Sequence, residues 1–265
     1  MRSRAVTQSP FGQHLRRLRA RSGMSQLDLA IAAGTTARHV SFLETGRSRP
    51  GQELVLRLAA ALDVPIRERN VLLGAAGLPP AYPDHPLSDQ AMRSIQSVLD
   101  RALQVHEPYP AWVVGRGLQF VRANRAAEAL FPGLCVMQPE AIVDLWYGPG
   151  PFRDLVENWQ DVVHVGVAQL QREATRTADA KLHDLARRAA AHLRDVPRGD
   201  ASIVPDLPVV CPRLKVGDRL VRTISAILRF ETAVEVTASE LRVELMFPAD
   251  EESAAFFRSM ASVSR

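Results

Sequence analysis

The chain has 265 residues, 46% of them hydrophobic, enough for one large or two ordinary cores, and a net charge of +4. That charge is uneven. Residues 1–80 carry twelve arginines, no lysine and five acids, a balance of +7 against −3 for the remainder, which suits a polyanion-binding head on a nearly neutral body. No apolar run approaches a membrane span, and the basic N-terminus lacks the apolar stretch of a secretory signal. Cys135 and Cys211 stand too far apart for a CxxC, so neither a disulfide framework nor a zinc motif is present. A cytoplasmic protein with no membrane partner is expected.

Residues 1–8 read as a loose tail. A helix from Pro10 to Arg21 turns Phe11, Leu15 and Leu18 inward and Arg16 and Arg17 outward. Ser25 caps a second helix, with Asp28 completing a Ser-x-x-acid box, and Leu27, Ala30 and Ile31 share one face. Gly34 stands where the backbone must turn sharply. Thr36 caps a third helix whose Val40 and Leu43 point back at the second, and Gly46 ends it. That leaves Ala37, Arg38, Ser41, Phe42 and Thr45 outward. Two helices about such a turn make a helix-turn-helix, and the second can enter a DNA major groove. There Arg38 is the base reader, its fork matching guanine O6 and N7, and Phe42 can meet a thymine methyl. Gln26 can bond a phosphate or base edge, Thr36 can touch phosphate as it caps, and Arg47 and Arg49 are phosphate clamps.

The series SQ-x-x-LA…G…S-x-LE-x-G-R-x-x-P resembles the XRE, or phage-repressor-like, helix-turn-helix family. The resemblance implies a pair between Arg19 and Glu44, at the end of the recognition helix. A fourth helix, Gly51 to Leu62, shows Leu54, Leu58 and Leu62 at i, i+4, i+8, and a fifth, about Ile66 to Ala76, closes the bundle. Gly77 to Pro80 and Tyr82 to Pro86 form a Pro-rich connector. The expected division is 9–78 for the DNA-binding domain, 79–87 for the connector and 88–262 for a second domain.

That second domain opens with an amphipathic helix, Ser88 to Val105, carrying Met92, Ile95, Leu99 and Leu103. A hairpin follows, Ala111–Val114 and Leu118–Val121 about Gly115-Arg116-Gly117, and then an Asn124-capped helix, Arg125 to Leu130. Residues 133–150 read as irregular, punctuated by Gly and Pro around Trp146 and Tyr147. Phe152 to about Thr175 reads as one helix, and Asp179 to Val196 as another. Two strands come last. Leu220 to Phe230 places Leu220, Ile224, Ala226, Leu228 and Phe230 on one face; Glu240 to Phe247 sets Leu241, Val243, Leu245 and Phe247 against Arg242, Glu244 and Met246. A short helix through Phe256 and Phe257 closes the chain.

Enzyme chemistry has no foothold in this pattern. There is no GxSxG, P-loop or GxGxxG, and His183 and His192, nine apart on one helix, face opposite ways. Asp154, Glu157 and Asp161 make a solvated helix face. No catalytic residue, cofactor or metal is expected.

The RHVSFLETGRSRP run, the Pro-rich connector, PYPAWVV…N, DLVENW and ELRVELMFPADEES together resemble the MmyB-like transcription regulators, over about residues 11–260. The resemblance implies an α+β chain: a five-helix XRE/lambda-repressor-like head, then a PAS-like antiparallel sheet with long covering helices. Function follows as a sequence-specific regulator of double-stranded DNA, a homodimer on a pseudo-palindromic operator, sensing an apolar small molecule such as a long-chain fatty acid. RNA polymerase is a further partner. Ligand candidates are the rings of Trp112, Phe120, Trp146, Tyr147 and Trp159, with Arg122, Arg153 and His164 as polar anchors for a carboxylate. The alternative is an antitoxin-like or purely protein-binding regulator whose second domain holds a protein instead of a small ligand.

Overall fold

The computed structural model describes residues 9–177, 179–198 and 209–263; the expected tail, 1–8, lies outside them. The chain forms two compact units. One runs through His85 and takes in Ala233–Val236; the other comprises Pro86–Thr232 and the chain from Thr237.

The first unit holds α1 (Pro10–Arg21), α2 (Gln26–Ala32), α3 (Ala37–Glu44), α4 (Gln52–Ala61) and α5 (Ile66–Ala75). Local chemistry sets most of these boundaries. The Ser9 hydroxyl accepts the Gly12 N–H at 3.0 Å ahead of Pro10, whose missing N–H is no loss in a first turn. Ser25 and Asp28 close a reciprocal capping box at 3.1 and 2.9 Å, and Thr36 accepts the His39 N–H at 3.1 Å. Phe11, Leu15, Leu18, Leu29, Val40, Leu43, Val55, Leu58, Leu72 and Leu73 fill one core. Gly12 lets α1 approach the end of α3 closely, since a Cβ there would lie 2.6 Å from the carbonyl oxygens of Leu43 and Glu44.

Two expected faces shift. In α2 the buried residues are Leu29, Ala30 and Ala33, while Leu27 and Ile31 are 57% and 71% exposed. The helix is apolar nearly all round, and the small Ala30 and Ala33 set the side that packs. In α4, Val55, Leu58, Ala59 and Leu62 are buried and Leu54 lies at the margin. The Pro-rich run is fastened to α5: the Asn70 carbonyl accepts the N–H groups of Ala81 and Tyr82, its amide donates to Tyr82 O at 2.7 Å, and Arg67 forks onto Asp84 at 2.6 and 3.1 Å. The late segment joins it there, Val236 N–H donating to Pro83 O at 2.9 Å and Glu235 accepting the His85 N–H at 2.7 Å.

The second unit is built on an antiparallel sheet of order β2-β1-β5-β4-β3: β1 (Ala111–Gly115), β2 (Gln119–Ala123), β3 (Arg213–Val216), β4 (Arg219–Arg229) and β5 (Arg242–Pro248). Its helices are α6 (Arg93–Val105), α7 (Arg125–Leu130), α8 (Pro139–Tyr147), α9 (Pro151–Leu155), α10 (Trp159–Thr177), α11 (Ala180–His192), α12 (Val236–Glu240) and α13 (Glu251–Val263). At β1 and β5 both sheet faces are covered. Leu99 and Leu103 of α6 pack on Ala111, Val113, Leu241 and Val243; on the other face Trp112, Val114, Phe120 and Met246 meet side chains of α8, α10 and α11.

Three expectations for this unit are corrected. Residues 133–150 are not irregular throughout, for Pro139 to Tyr147 is α8. Its proline is the first helical residue, its Ile142, Val143 and Tyr147 face the core, and Gly148 stops it. Asp144 ties it to α11, accepting from Arg188 Nε at 2.6 Å and facing His192 Nε2 at 2.9 Å. The Arg188 hydrogen bond is the main reason that carboxyl is held down at about 2. The single helix expected from Phe152 breaks at Val156, which pairs with Leu214; Glu157 N–H donates to Arg213 O, and the Asn158 amide bonds Cys211 O and Arg213 N. In β4 it is Val221 and Thr223 that are buried, while Ala226 and Leu228 are exposed. Thr223 tolerates burial because its hydroxyl donates to Pro212 O at 2.6 Å.

Candidate nucleic-acid interface and ligand core

The outward side of α3 is held on a buried ion cluster. The Glu44 side chain has no exposure, and Arg19, 15% exposed, forks onto it with Nε 2.6 Å from Oε1 and Nη2 3.1 Å from Oε2. Arg19 Nη1 continues to Met24 O at 2.7 Å, the Gln26 amide donates to Glu44 Oε2 at 2.8 Å, and Arg16 stands 3.6 Å away. Burial alone would raise the Glu44 carboxyl. The Arg19 and Gln26 hydrogen bonds, with the charges of Arg19 and Arg16, outweigh it and leave the pKa below the ordinary value. The cluster joins α1, α2 and α3 at one point.

Beyond it, Arg38 is exposed with Cζ 5.2 Å from the Phe42 ring centroid, and Arg47 approaches the same ring at 5.8 Å. Phe42 is half-buried, so it braces two guanidinium groups while showing an edge to solvent. Ala37 and Ser41 are half-buried beside it, Thr36 is exposed at the cap, and Arg49 is exposed past the helix. Thr45 uses its hydroxyl on Ser41 O at 2.8 Å. Gln26 differs from the rest in that its amide N–H already serves Glu44.

In the second unit, Trp112, Phe120, Trp146, Tyr147 and Trp159 gather in one core. The rings run in a chain: Trp112–Phe131 at 6.0 Å, Phe131–Phe152 at 5.9 Å, Phe152–Trp146 at 6.1 Å and Trp146–Phe120 at 5.4 Å. Trp159 Nε1 donates to Trp146 O at 2.9 Å. The indole N–H groups of Trp112 and Trp146 are buried with no hydrogen-bond partner among the described residues. Tyr147 packs its hydroxyl on α10, where a Cβ at Gly166 would lie 2.6 Å from it. Burial, and then the charge of Glu244, push that phenol well above its ordinary value.

The expected polar anchors do not converge on these rings. Arg122 stands opposite Val113, on the face that α6 covers, and pairs with Asp100. His164 bonds Pro197 O at 3.2 Å, and Arg153 is exposed with Cζ 4.7 Å from the Trp159 ring. Other charges occupy the ring-bearing face. Glu244 and Arg242 stand opposite Trp112 and Val114, and Arg229 opposite Arg242, so all three share that side. Arg242 Nε donates to Glu244 at 2.8 Å, and Arg229 lies 3.7 Å from Glu173. Burial works to raise the Glu173 carboxyl, but the Arg176 hydrogen bond and the charges of Arg176, Arg229 and Arg242 bring it below its ordinary value. The Arg242-Val-Glu244-Leu-Met246 alternation carried this signal. It reads as a solvent face until both faces of the sheet are known to be covered.

Among the described residues no helix is long and apolar enough to cross a membrane. The family model for the MmyB-like transcription regulator ligand binding domain matches residues 95–260, and a helix-turn-helix domain model matches residues 10–72. The uncharacterized HTH-type transcriptional regulator RghRB of Bacillus subtilis (strain 168) is 36% identical over 93 residues, 35% of this chain, and the chain spans 63% of that relative's length. Among solved structures, the restriction-modification controller protein C.AhdI from Aeromonas hydrophila is 39% identical over 23% of this chain and 92% of its own, with a TM-score of 0.22.

Proposed function

We propose that this chain, which belongs to the MmyB-like transcription regulators, reads double-stranded DNA as a homodimer and adjusts that reading to an apolar small molecule held by its second domain. The observation that carries the DNA half is the outward side of α3, where exposed Arg38 is braced by Phe42 above a buried, fully bonded Glu44. A side chain held in place loses less freedom on binding, so its contact is worth more. Arg38 reads guanine, and Phe42 meets a thymine methyl. Ala37, Ser41 and Thr45 line the groove, Thr36, Arg47 and Arg49 hold phosphate, and the Gln26 carbonyl is left to face a base edge. Residues 9–78 are the DNA-binding domain and 79–87 the connector; 88–262, apart from the Ala233–Val236 strip that belongs to the first unit, form the sensing and dimerising domain.

One recognition helix spans only a few base pairs, so two heads on half-sites about one helical turn apart are expected. The effector shifts DNA affinity by binding the competent arrangement and the other one unequally. The aromatic core, which gathers rings from five separate elements, supports an apolar ligand, a long-chain fatty acid among them. Footprinting on selected genomic fragments tests the DNA half. Arg38→Ala should lose about 1–3 kcal/mol with relaxed preference at one position, and Arg47→Ala should weaken all sequences alike. The reverse pattern, or a monomer on a non-palindromic site, overturns the assignment. Native mass spectrometry of freshly purified protein tests the sensing half: a retained apolar metabolite is expected, and a clean apo mass, with no small molecule altering operator affinity, overturns it.

A further inference from the structure

Arg38 and Phe42 stand one helical turn apart on α3, and they touch: the guanidinium carbon lies 5.2 Å from the ring centroid. Arg47, past the end of that helix, brings its own guanidinium to 5.8 Å from the same ring. Both arginines are exposed, while Phe42 is half-buried and cannot leave the surface without breaking its packing. One ring therefore sets the place of two cations. Contacts made by groups that touch each other must fall close together on the DNA.

How close is fixed by the rise of the duplex. Neighbouring base pairs are about 3.4 Å apart, so a separation of two steps needs about 7 Å, more than the 5.2 Å between guanidinium and ring. When Arg38 reaches guanine O6 and N7, the ring stands at the level of the next base pair. The groove edge there is polar in all but one group. Adenine N6 and N7, guanine O6 and N7, and cytosine N4 would each lose water to a phenyl ring that cannot bond them. A pyrimidine 5-methyl alone gains from that contact, and 5-methylcytosine carries it at the same place as thymine. We infer that the head reads a two-base word, a guanine and beside it a pyrimidine with a 5-methyl group. It therefore prefers thymine at that second place and tells 5-methylcytosine from cytosine there. The inference rests on the proposed DNA reading by α3; it adds that the two contacts share one base step and that methylation of the DNA is read.

The test changes the DNA and leaves the protein intact. The full-length chain first selects duplexes from a random pool, and affinity for the selected duplex is then measured at fixed salt. Each guanine in turn becomes 7-deazaguanine, which lacks the N7 acceptor, and each thymine becomes deoxyuridine, which lacks only the methyl. Expected are about a tenfold loss at one guanine of a half-site and about a fourfold loss at one thymine next to it. With a cytosine–guanine pair in place of that thymine's pair, methylating the cytosine should tighten binding about fourfold. Arg38→Ala should abolish the guanine effect and keep the thymine effect. Phe42→Leu, which keeps apolar bulk without a ring, should shrink the guanine effect as well, because the guanidinium loses its brace. Deoxyuridine without effect at every thymine, or a sensitive thymine two or more pairs from the sensitive guanine, overturns the inference and leaves the DNA reading standing. Equal affinity for cytosine and 5-methylcytosine overturns the reading of methylation. A chain that enriches no sequence overturns the DNA reading and the inference together.

Discussion

The ion cluster beneath α3 and the aromatic core of the second unit treat buried polarity in opposite ways. In the first, Glu44 is wholly enclosed, and its oxygens receive donors from Arg19 and Gln26 with Arg16 nearby. In the second, the Trp112 and Trp146 indole N–H groups are enclosed with no acceptor among the described residues. A saturated cluster fixes one arrangement, because any displacement leaves a charge unpaired. An unsaturated pair is a local deficit that a suitable molecule can relieve. The contrast separates a saturated ion cluster from an aromatic core that keeps two donors unused among the described residues.

The strongest way to break the comparison is at Glu44. Removing one partner by Glu44→Ala or Arg19→Ala should cost about 3–5 kcal/mol, and the double variant less than the sum. Urea unfolding measures it, and a loss under about 1 kcal/mol would mean the cluster behaves as a surface pair. Next is Gly12→Ala, where the new methyl meets two carbonyl oxygens at 2.6 Å and should cost about 1–3 kcal/mol by prising α1 from α3. The tryptophans sharpen the other side. Trp159→Phe deletes a made hydrogen bond and should destabilise by about 1 kcal/mol, whereas Trp146→Phe deletes an unmade one and should be neutral or stabilising once ring volume is allowed for. Equal losses at both positions would erase the distinction.

The smallest effect is in pH. His106 is buried with Nε2 3.0 Å from Met246 O, and burial is the main cause that lowers its pKa below the ordinary 6.5. The unfolded chain therefore takes up that proton first. The stability it contributes is present above about pH 6.5 and is lost as pH falls toward the folded value. Glu44 is also lowered, but from 4.5, so its contribution persists until more acid conditions. Hydrogen exchange between pH 7 and 5 should show amides of the second unit losing protection while those around α3 hold. Loss in the first unit first would contradict both assignments.

The first unit was the more legible because its boundaries are written locally: Ser25 with Asp28, Gly34, Thr36 and Gly46 each act within a few residues. Its Arg19–Glu44 geometry followed a motif, although Gln26 joining that cluster did not. The second unit depends on pairings made far along the chain. The break at Val156 needs Leu214, and a strand covered on both sides does not advertise which of its alternating sets faces the aromatic core. Arg122, two residues after Phe120, would share its face in an unbroken strand; the register shift of β1 against β2 between Val113 and Val114 turns it to the other. Pro139 hides its helix in another way: a proline that opens a helix looks, in isolation, like one that ends order.

Ala233–Val236 belong to the DNA-binding unit although they lie between β4 and β5 in the chain. The unit is thus discontinuous in the gene. During translation the helices through α5 leave the ribosome early, but the strip that bonds Pro83 and His85 is made only 150 residues after them. A fragment cut at residue 85 ends where that strip would attach and carries an unfilled seam. A chain terminated between the two therefore carries the five helices without the strip that bonds Pro83 and His85.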